Sequence, residues 1–524
     1  MSSEAAFVAQ LKKQAKAFLD PEGGGCLVPK SAELDDGDGP LCCAVPPFAF
    51  DCSLGPHRRR AVCSPAGQAT VAEGAVVFRN AAYAWCLSQE FIASHCSCCM
   101  TRVSEPLQCT RCKHTRYCSK ACQSQDWTEG GHSKECKHLA TLRFPSPQVN
   151  DMRLLVRTYY TTFMRKKKRS ACRKSVSGGA VDCGTRHLRA LSTAAGVPDY
   201  RARHDGTAER AAADDILLQA AYILSQPPEK EEVNFLELCN LFAAFATNNF
   251  GILDDLFQVV GTGVYPLSAL LNHSCCPNVL LVYPKSLQAG PPLSLGIALS
   301  PLLRGMDDEL THSYVDMCHP VQLRRQKLFE SHNFICACAR CREQMSIYEQ
   351  VDWSWSKEED ALGKELERLV DEPALLQAAL ERSKTTTARA LRLHALVERL
   401  VTSPKGRLNY ELYKINCARF EESLFCAGQE GADSEALQDA IRLCKRIVSS
   451  LCVFFSHISF HPLLGLQVFT LGDLLSASPS SGHREEAKAM YDWCARQLKH
   501  SHDSSSSGSD MLTRLKQMRD ELGN

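Results

Sequence analysis

The chain has 524 residues and a nearly balanced charge, 60 Lys and Arg against 59 Asp and Glu. That length predicts two to four domains rather than one core, and a net charge of +1 excludes a chain built as a whole to bind polyanions. No run reaches the ~18 apolar residues of a membrane span, so no membrane association is expected.

There are 28 cysteines. No signal peptide is visible and many cysteines sit at metal-ligand spacings, so zinc in a reducing compartment is the better reading than disulfides. Residues 1–45 hold a short amphipathic segment at 5–19, read as a surface helix rather than a transit peptide because it lacks arginine. A Gly-, Asp- and Pro-rich linker follows. In 46–95, Arg60-Ala61-Val62-Cys63 and Ala75-Val76-Val77-Phe78 predict short strands joined by a Gly-containing turn.

Residues 96–136 contain four ligand pairs: Cys96 and Cys99, Cys109 and Cys112, Cys118 and Cys122, His132 and Cys136. A pair two or three residues apart grips one metal from a tight turn or one helical turn, so four pairs suit two tetrahedral zinc ions. The stretch is too short and polar for an apolar core, and metal supplies most of its folding energy. Cys98 is left out because its spacing does not match its neighbours.

Residues 137–250 read as mainly helical, with apolar spacing at 152–156 and 235–250. They are interrupted by Arg165-Lys166-Lys167-Lys168-Arg169, which reads either as a nuclear address or nucleic-acid patch or as a solvated insertion. Residues 251–330 carry Asn272-His273-Ser274-Cys275-Cys276-Pro277-Asn278 and the strand-like Asp308-Glu309-Leu310-Thr311-His312-Ser313-Tyr314. Residues 331–345 carry Cys336, Cys338 and Cys341. One cysteine at 275 plus these three makes a closed zinc site, which would pull the later segment back onto the Asn272-His273 pair. Residues 346–524 read as antiparallel helices, with stripes in 362–370 and 393–400, a helix opening at His461-Pro462, and a flexible loop at 504–509 before a last helix.

Together these residues resemble the SET- and MYND-domain (SMYD) protein-lysine methyltransferase family, over about 48–343. Val264 to Leu271 leading into Asn272-His273-Ser274-Cys275 is similar to its central motif, Asp308-Glu309-Leu310-Thr311 to Tyr314 to its strand before the catalytic tyrosine, and Cys336, Cys338 and Cys341 to its post-SET cysteines. The resemblance implies an α+β fold: a β-rich SET domain split by a MYND zinc module and a helical insertion, followed by an all-α, TPR-like C-terminal domain. It implies S-adenosylmethionine as methyl donor, three structural zinc ions and a lysine-containing protein substrate. Tyr314 is the implied catalytic residue. Gly55, His57, Asn249, Asn272, His273, Tyr314 and Phe334 are the implied cofactor contacts.

Two departures accompany the resemblance. The stretch Leu54-Gly55-Pro56-His57-Arg58-Arg59-Arg60 lacks a Gly-x-Gly loop, and His332 stands where the family often has tyrosine. They favour a second reading, a catalytically weak scaffold binding proline-rich peptides through the MYND module. Weak nucleic-acid contact through 165–169 and Arg111, Lys113 and Arg116 is a third. A monomer in nucleus and cytoplasm is expected.

Overall fold

The structure, a computed structural model, describes residues 48–51, 60–63, 71–139, 146–164, 208–226, 233–284, 289–302, 309–332, 334–350, 410–430, 435–502 and 510–523. Gly55, His57, Asp308, the 165–169 run, and the expectations for 5–19, 20–45, 362–370, 393–400 and 504–509 lie outside those residues. The chain divides into two compact units, Met1–Asn272 with Val279–Leu310, and His273–Asn278 with Thr311–Asn524. Each mixes or selects its elements differently: the first holds sheets and helices, the second is mostly helical.

In the first unit β1 (Phe48–Asp51) pairs with β2 (Arg60–Cys63). Both segments expected to be strands are strands, but among the described residues β2 does not pair with the next one. That strand, β3 (Val76–Ala81), pairs instead with β11 (Leu293–Ala298), which also pairs with β10 (Val279–Val282). Val77 and Phe78, adjacent in β3 and so on opposite faces, are both buried, in a core with Leu270, Leu271 and Ala298. Period-2 patterning marks a strand but not its partner, and here the partner lies some two hundred residues away.

The strand β4 (Ala84–Leu87) is buried on both faces, and alternation assigns each face a different neighbour. Trp85 and Leu87 join a core that includes the cysteines of 96–136. That segment carries the small hairpin of β5 (Leu107–Gln108) and β6 (Arg116–Tyr117), then α1 (Lys120–Thr128) and α2 (His132–Glu135). Ala84 and Cys86 face the other way, into a core made by α3 (Ser146–Tyr159), α4 (Ala208–Ser225) and α5 (Phe235–Asn248). The expected helix over 235–250 stops two residues early: Asn249 and Phe250 open β7 (Asn249–Leu253), which pairs with β8 (Val259–Val264), and β8 in turn pairs with β4.

A buried ion network fastens the 96–136 segment to α3. Arg157 donates Nη1 to Asp126 at 2.8 Å and to the Trp85 carbonyl at 2.9 Å, and Nη2 to Glu135 at 2.6 Å. Arg153 donates Nε and Nη2 to Glu135, each at 3.1 Å, and Nη1 to the Leu87 carbonyl at 2.9 Å. All four side chains are fully buried. Burial pushes the Glu135 carboxyl up, but Arg153 and Arg157 outweigh it and hold the group well below the usual carboxylate range. Gly131 starts α2 at φ 88°, and a Cβ there would meet Arg157 Cγ at 3.2 Å, so a left-handed, side-chain-free residue is required where the arginine passes.

In the second unit, β12 (Thr311–His312) and the 273–278 segment lie together: the Ser274 N–H donates to the His312 carbonyl at 3.1 Å and the Thr311 N–H to Asn278 Oδ1 at 2.8 Å. Next come α6 (Val321–His332) and α7 (Ala339–Gln350), then α8 (Tyr410–Glu430), α9 (Glu435–Phe454), α10 (Pro462–Ala477), α11 (Ser481–His502) and α12 (Asp510–Gly523). The predicted start at His461-Pro462 is present. His461 caps α10 by accepting the Leu463 N–H on Nδ1 at 3.2 Å, with proline just inside the helix. Gly465 and Gly472 let α10 and α11 approach closely: a Cβ at either would lie 2.6 Å from Leu498 or Tyr491 respectively.

Two outcomes are expected. Arg157→Met leaves Asp126 and part of Glu135 uncompensated in the core, a cost of about 3–5 kcal/mol, seen as a large drop in melting temperature; an unchanged melting temperature would contradict the network. His461 stacks on Phe455, with ring centroids 3.9 Å apart, and burial lowers its pKa to about 3. A depressed folded pKa gives stability that is full above the unfolded value of ~6.5 and is lost as pH falls toward about 3. Between pH 6.5 and 5 the stability of His461→Asn, which keeps a capping side chain, therefore falls less steeply than that of the parent, by about 1.4 kcal/mol per pH unit. Parallel pH profiles from urea melts would contradict this.

Candidate active site and metal centres

Three groups of ligand side chains converge, each with its ligand atoms within 4.8 Å of one another. Two lie in 96–136. Cys96, Cys99, Cys118 and Cys122 form one, and Cys109, Cys112, His132 and Cys136 the other. The first pair in sequence thus joins the third, and the second joins the fourth, so the two centres are interleaved. Ser119 caps α1 by accepting the Cys122 N–H at 3.2 Å, which fixes the last pair of the first centre on a helical turn. Cys98 stays outside: its thiol faces the Gly290 carbonyl at 3.5 Å.

The third group is Cys275, Cys336, Cys338 and Cys341. Cys275 Sγ lies 4.0 Å from Cys336 Sγ and 3.5 Å from Cys341 Sγ. Hydrogen bonding among the crowded thiols pushes Cys275 up and pulls Cys336 down, as expected of groups sharing protons. All-sulfur and S₃N donor sets of this size suit tetrahedral zinc, which holds its thiols ionised. Two arginines serve this centre and carry no sequence signal. Arg324, in the charged helix Val321–His332, is fully buried and donates Nε to Cys275 Sγ at 3.2 Å, and Arg340, between two of the cysteines, donates to the Cys275 carbonyl at 3.1 Å.

His273 joins this centre to Tyr314. Its Nδ1 accepts the Tyr314 N–H at 2.9 Å. An accepting Nδ1 carries no proton, so the neutral ring is protonated on Nε2, and Nε2 lies 3.2 Å from Cys275 Sγ. The side chain expected to contact a cofactor therefore spans from a metal thiolate to the backbone of residue 314.

Around Tyr314 the rings close in. Its centroid lies 5.3 Å from His273, 4.9 Å from His312 and 4.7 Å from His332, and Phe334 lies 5.9 Å from His273. His312 is held neutral: burial, then the neighbouring His273, lowers its pKa to about 3. No sequence pattern gave His312 a role, although it stands two residues before Tyr314. In the first unit, Asn272 donates Nδ2 to Glu309 at 2.5 Å, a partner visible only once the 309 segment is folded back. Asn249 is exposed at the start of β7.

The MYND finger family model matches residues 96–136. The chain is 25% identical to the mouse histone-lysine N-methyltransferase SMYD3 over 403 residues, 76% of this chain and 82% of that protein. It is 25% identical to the Arabidopsis thaliana histone-lysine N-methyltransferase ASHR1, over 73% of this chain and 78% of that one. It is 29% identical to the rat N-lysine methyltransferase SMYD2, over 51% of this chain and 55% of that one. The chain carries a MYND finger and is similar to SMYD proteins over much of its length. The ligand groups at 96–136 are thus those of its MYND finger, and the third group is a separate, all-cysteine cluster outside it.

The expected metal content is three zinc ions per folded chain, with Cys275→Ser losing one and leaving the other two. Elemental analysis giving two or fewer in the folded parent would contradict the ligand assignment.

Proposed function

We propose that this protein is an SMYD-type protein-lysine N-methyltransferase that uses S-adenosylmethionine. The observation carrying the reading is the ring cluster around Tyr314, anchored by His273 to the four-cysteine centre. Relatives named as lysine methyltransferases along most of the chain support it. Aromatic faces suit both parts of the donor, an adenine ring and a sulfonium cation.

The donor supplies an already activated methyl group, so what the chain must supply is alignment, exclusion of water and a neutral lysine amine. Tyr314 is the proposed catalytic residue. Its hydroxyl orients the amine, and the hydrogen bond from its N–H to His273 fixes the backbone that carries it. Phe334 covers the adenine face. His273 contributes through its backbone, because both ring nitrogens face protein groups. Asn249 and Asn272 are carried as further cofactor contacts, the latter with its amide oriented by Glu309. Desolvation among the rings around Tyr314 would lower the pKa of an entering lysine and so favour the free amine. His332 packs against Tyr314, and we assign to it the width and polarity of the lysine's path at that point. The four-cysteine centre has a full set of protein ligands, so its part is positional.

Labelled donor incubated with cell extract is expected to show methyl transfer that Tyr314→Phe reduces at least ~100-fold, a share of the barrier consistent with one lost orienting group. Unchanged turnover removes Tyr314 from the reaction. Absence of S-adenosylmethionine binding by calorimetry contradicts the enzyme reading as a whole.

A further inference from the structure

A zinc ion held by four thiolates carries two formal negative charges. Burying such a group without counter-charge is strongly unfavourable. Cys275, Cys336 and Cys341 are buried and only Cys338 is partly exposed, so solvent reaches little of the centre's charge. Two buried cations stand against it. Arg324 donates Nε to Cys275 Sγ at 3.2 Å and Nη2 to Cys341 Sγ at 3.8 Å. The rest of its fork is pinned: Nη1 donates to the His319 carbonyl at 2.5 Å and Nη2 to Gln344 Oε1 at 2.7 Å. Arg340, next in sequence to the ligand Cys341, donates to the carbonyls of Cys275 at 3.1 Å, Met317 at 2.9 Å and Phe454 at 2.9 Å.

We propose that Arg324 and Arg340 are the built-in counter-ions of the four-cysteine zinc centre, with Arg324 the thiolate-contacting member on which occupancy of that centre depends. The two positive charges match the two negative ones, so the buried assembly is neutral overall. The arrangement makes the metal load conditional on fold: α6 must be formed to present Arg324, and the end of α9, at Phe454, must be in place to seat Arg340. Arg324 acts through the ligands rather than on the metal. It shortens no bond to zinc. It lowers the cost of keeping Cys275 and Cys341 ionised in a buried site. Packing alone would predict something different, because packing is insensitive to the charge of the ligand set.

That difference is the test. Zinc per chain is measured by elemental analysis on the full-length protein, and release of each ion to a chelator is followed with a metal indicator. The parent is expected to hold three zinc ions. Arg324→Met, similar in size and uncharged, is expected to hold two, the MYND pair being retained. Arg324→Lys is expected to hold three but to release the third about 10- to 100-fold faster, the usual scale for outer-shell partners. Cys338→His, at a half-buried ligand that Arg324 does not touch, removes one negative charge from the centre. Combined with Arg324→Met it is expected to restore the third ion. An Arg324→Met chain holding three ions with unchanged release overturns the proposal. So does a double variant that fails to regain the ion, or to fold, when Cys338→His alone is folded and fully loaded. If Arg324→Met alone does not fold but the double variant folds with three ions, the charge account is supported. None of these readouts depends on methyl transfer, so the proposal and the enzymatic reading fail separately.

Discussion

The imidazole of His273 is the point on which the candidate site depends. One nitrogen accepts the backbone N–H of Tyr314, and the other faces the thiolate of Cys275. Two hydrogen bonds thus turn a metal centre into a positioning device for a tyrosine some forty residues away. The hydrogen bonds select the tautomer. It follows from which groups the two nitrogens meet. Removing the sulfur side leaves the ring free to turn, and the Tyr314 N–H then loses a fixed acceptor in a crowded ring cluster. A zinc ion held there would contribute at a distance, through ligands that hold other groups still, which is the usual part of a closed site.

Buried charge recurs in both units and is handled in the same way. In the first unit two arginines meet two carboxylates and two strand carbonyls, fastening the MYND finger to α3 and β4. In the second, two arginines meet thiolates and carbonyls around the four-cysteine centre. Each cluster is expensive to form and more expensive to half-form. That asymmetry fastens elements in place more sharply than apolar packing does, because an incomplete cluster leaves a bare charge behind. The MYND finger is accordingly part of the folded core of its unit: Trp85 and Leu87 pack with its cysteines while Ala84 and Cys86 pack with the helices behind.

Ligand spacing made the metal centres legible before any coordinates. Short gaps between cysteines record local geometry, and local geometry survives in sequence. The pairing of the four MYND pairs into two interleaved centres did not, because spacing says which residues can share a turn and not which turns meet. The same limit explains β3. Its strand character was visible, but its partner β11 was not. Arg324 was hidden for another reason: in Val-Gln-Leu-Arg-Arg-Gln-Lys it looks like one charge among several, and only the fold shows its guanidinium donating to Cys275 Sγ. His273 was legible as a site residue but not as a link, since the direction of a ring cannot be read from a motif.

The account is tested most directly by nitrogen NMR of selectively labelled histidine in the zinc-loaded full-length chain, with His273→Gln to assign the signal. The predicted result is a His273 ring with an unprotonated Nδ1 and a protonated Nε2, an arrangement lost when Cys275→Ser removes the sulfur. A ring protonated on Nδ1, or one whose state does not respond to loss of that sulfur, would contradict the connection between the four-cysteine centre and Tyr314.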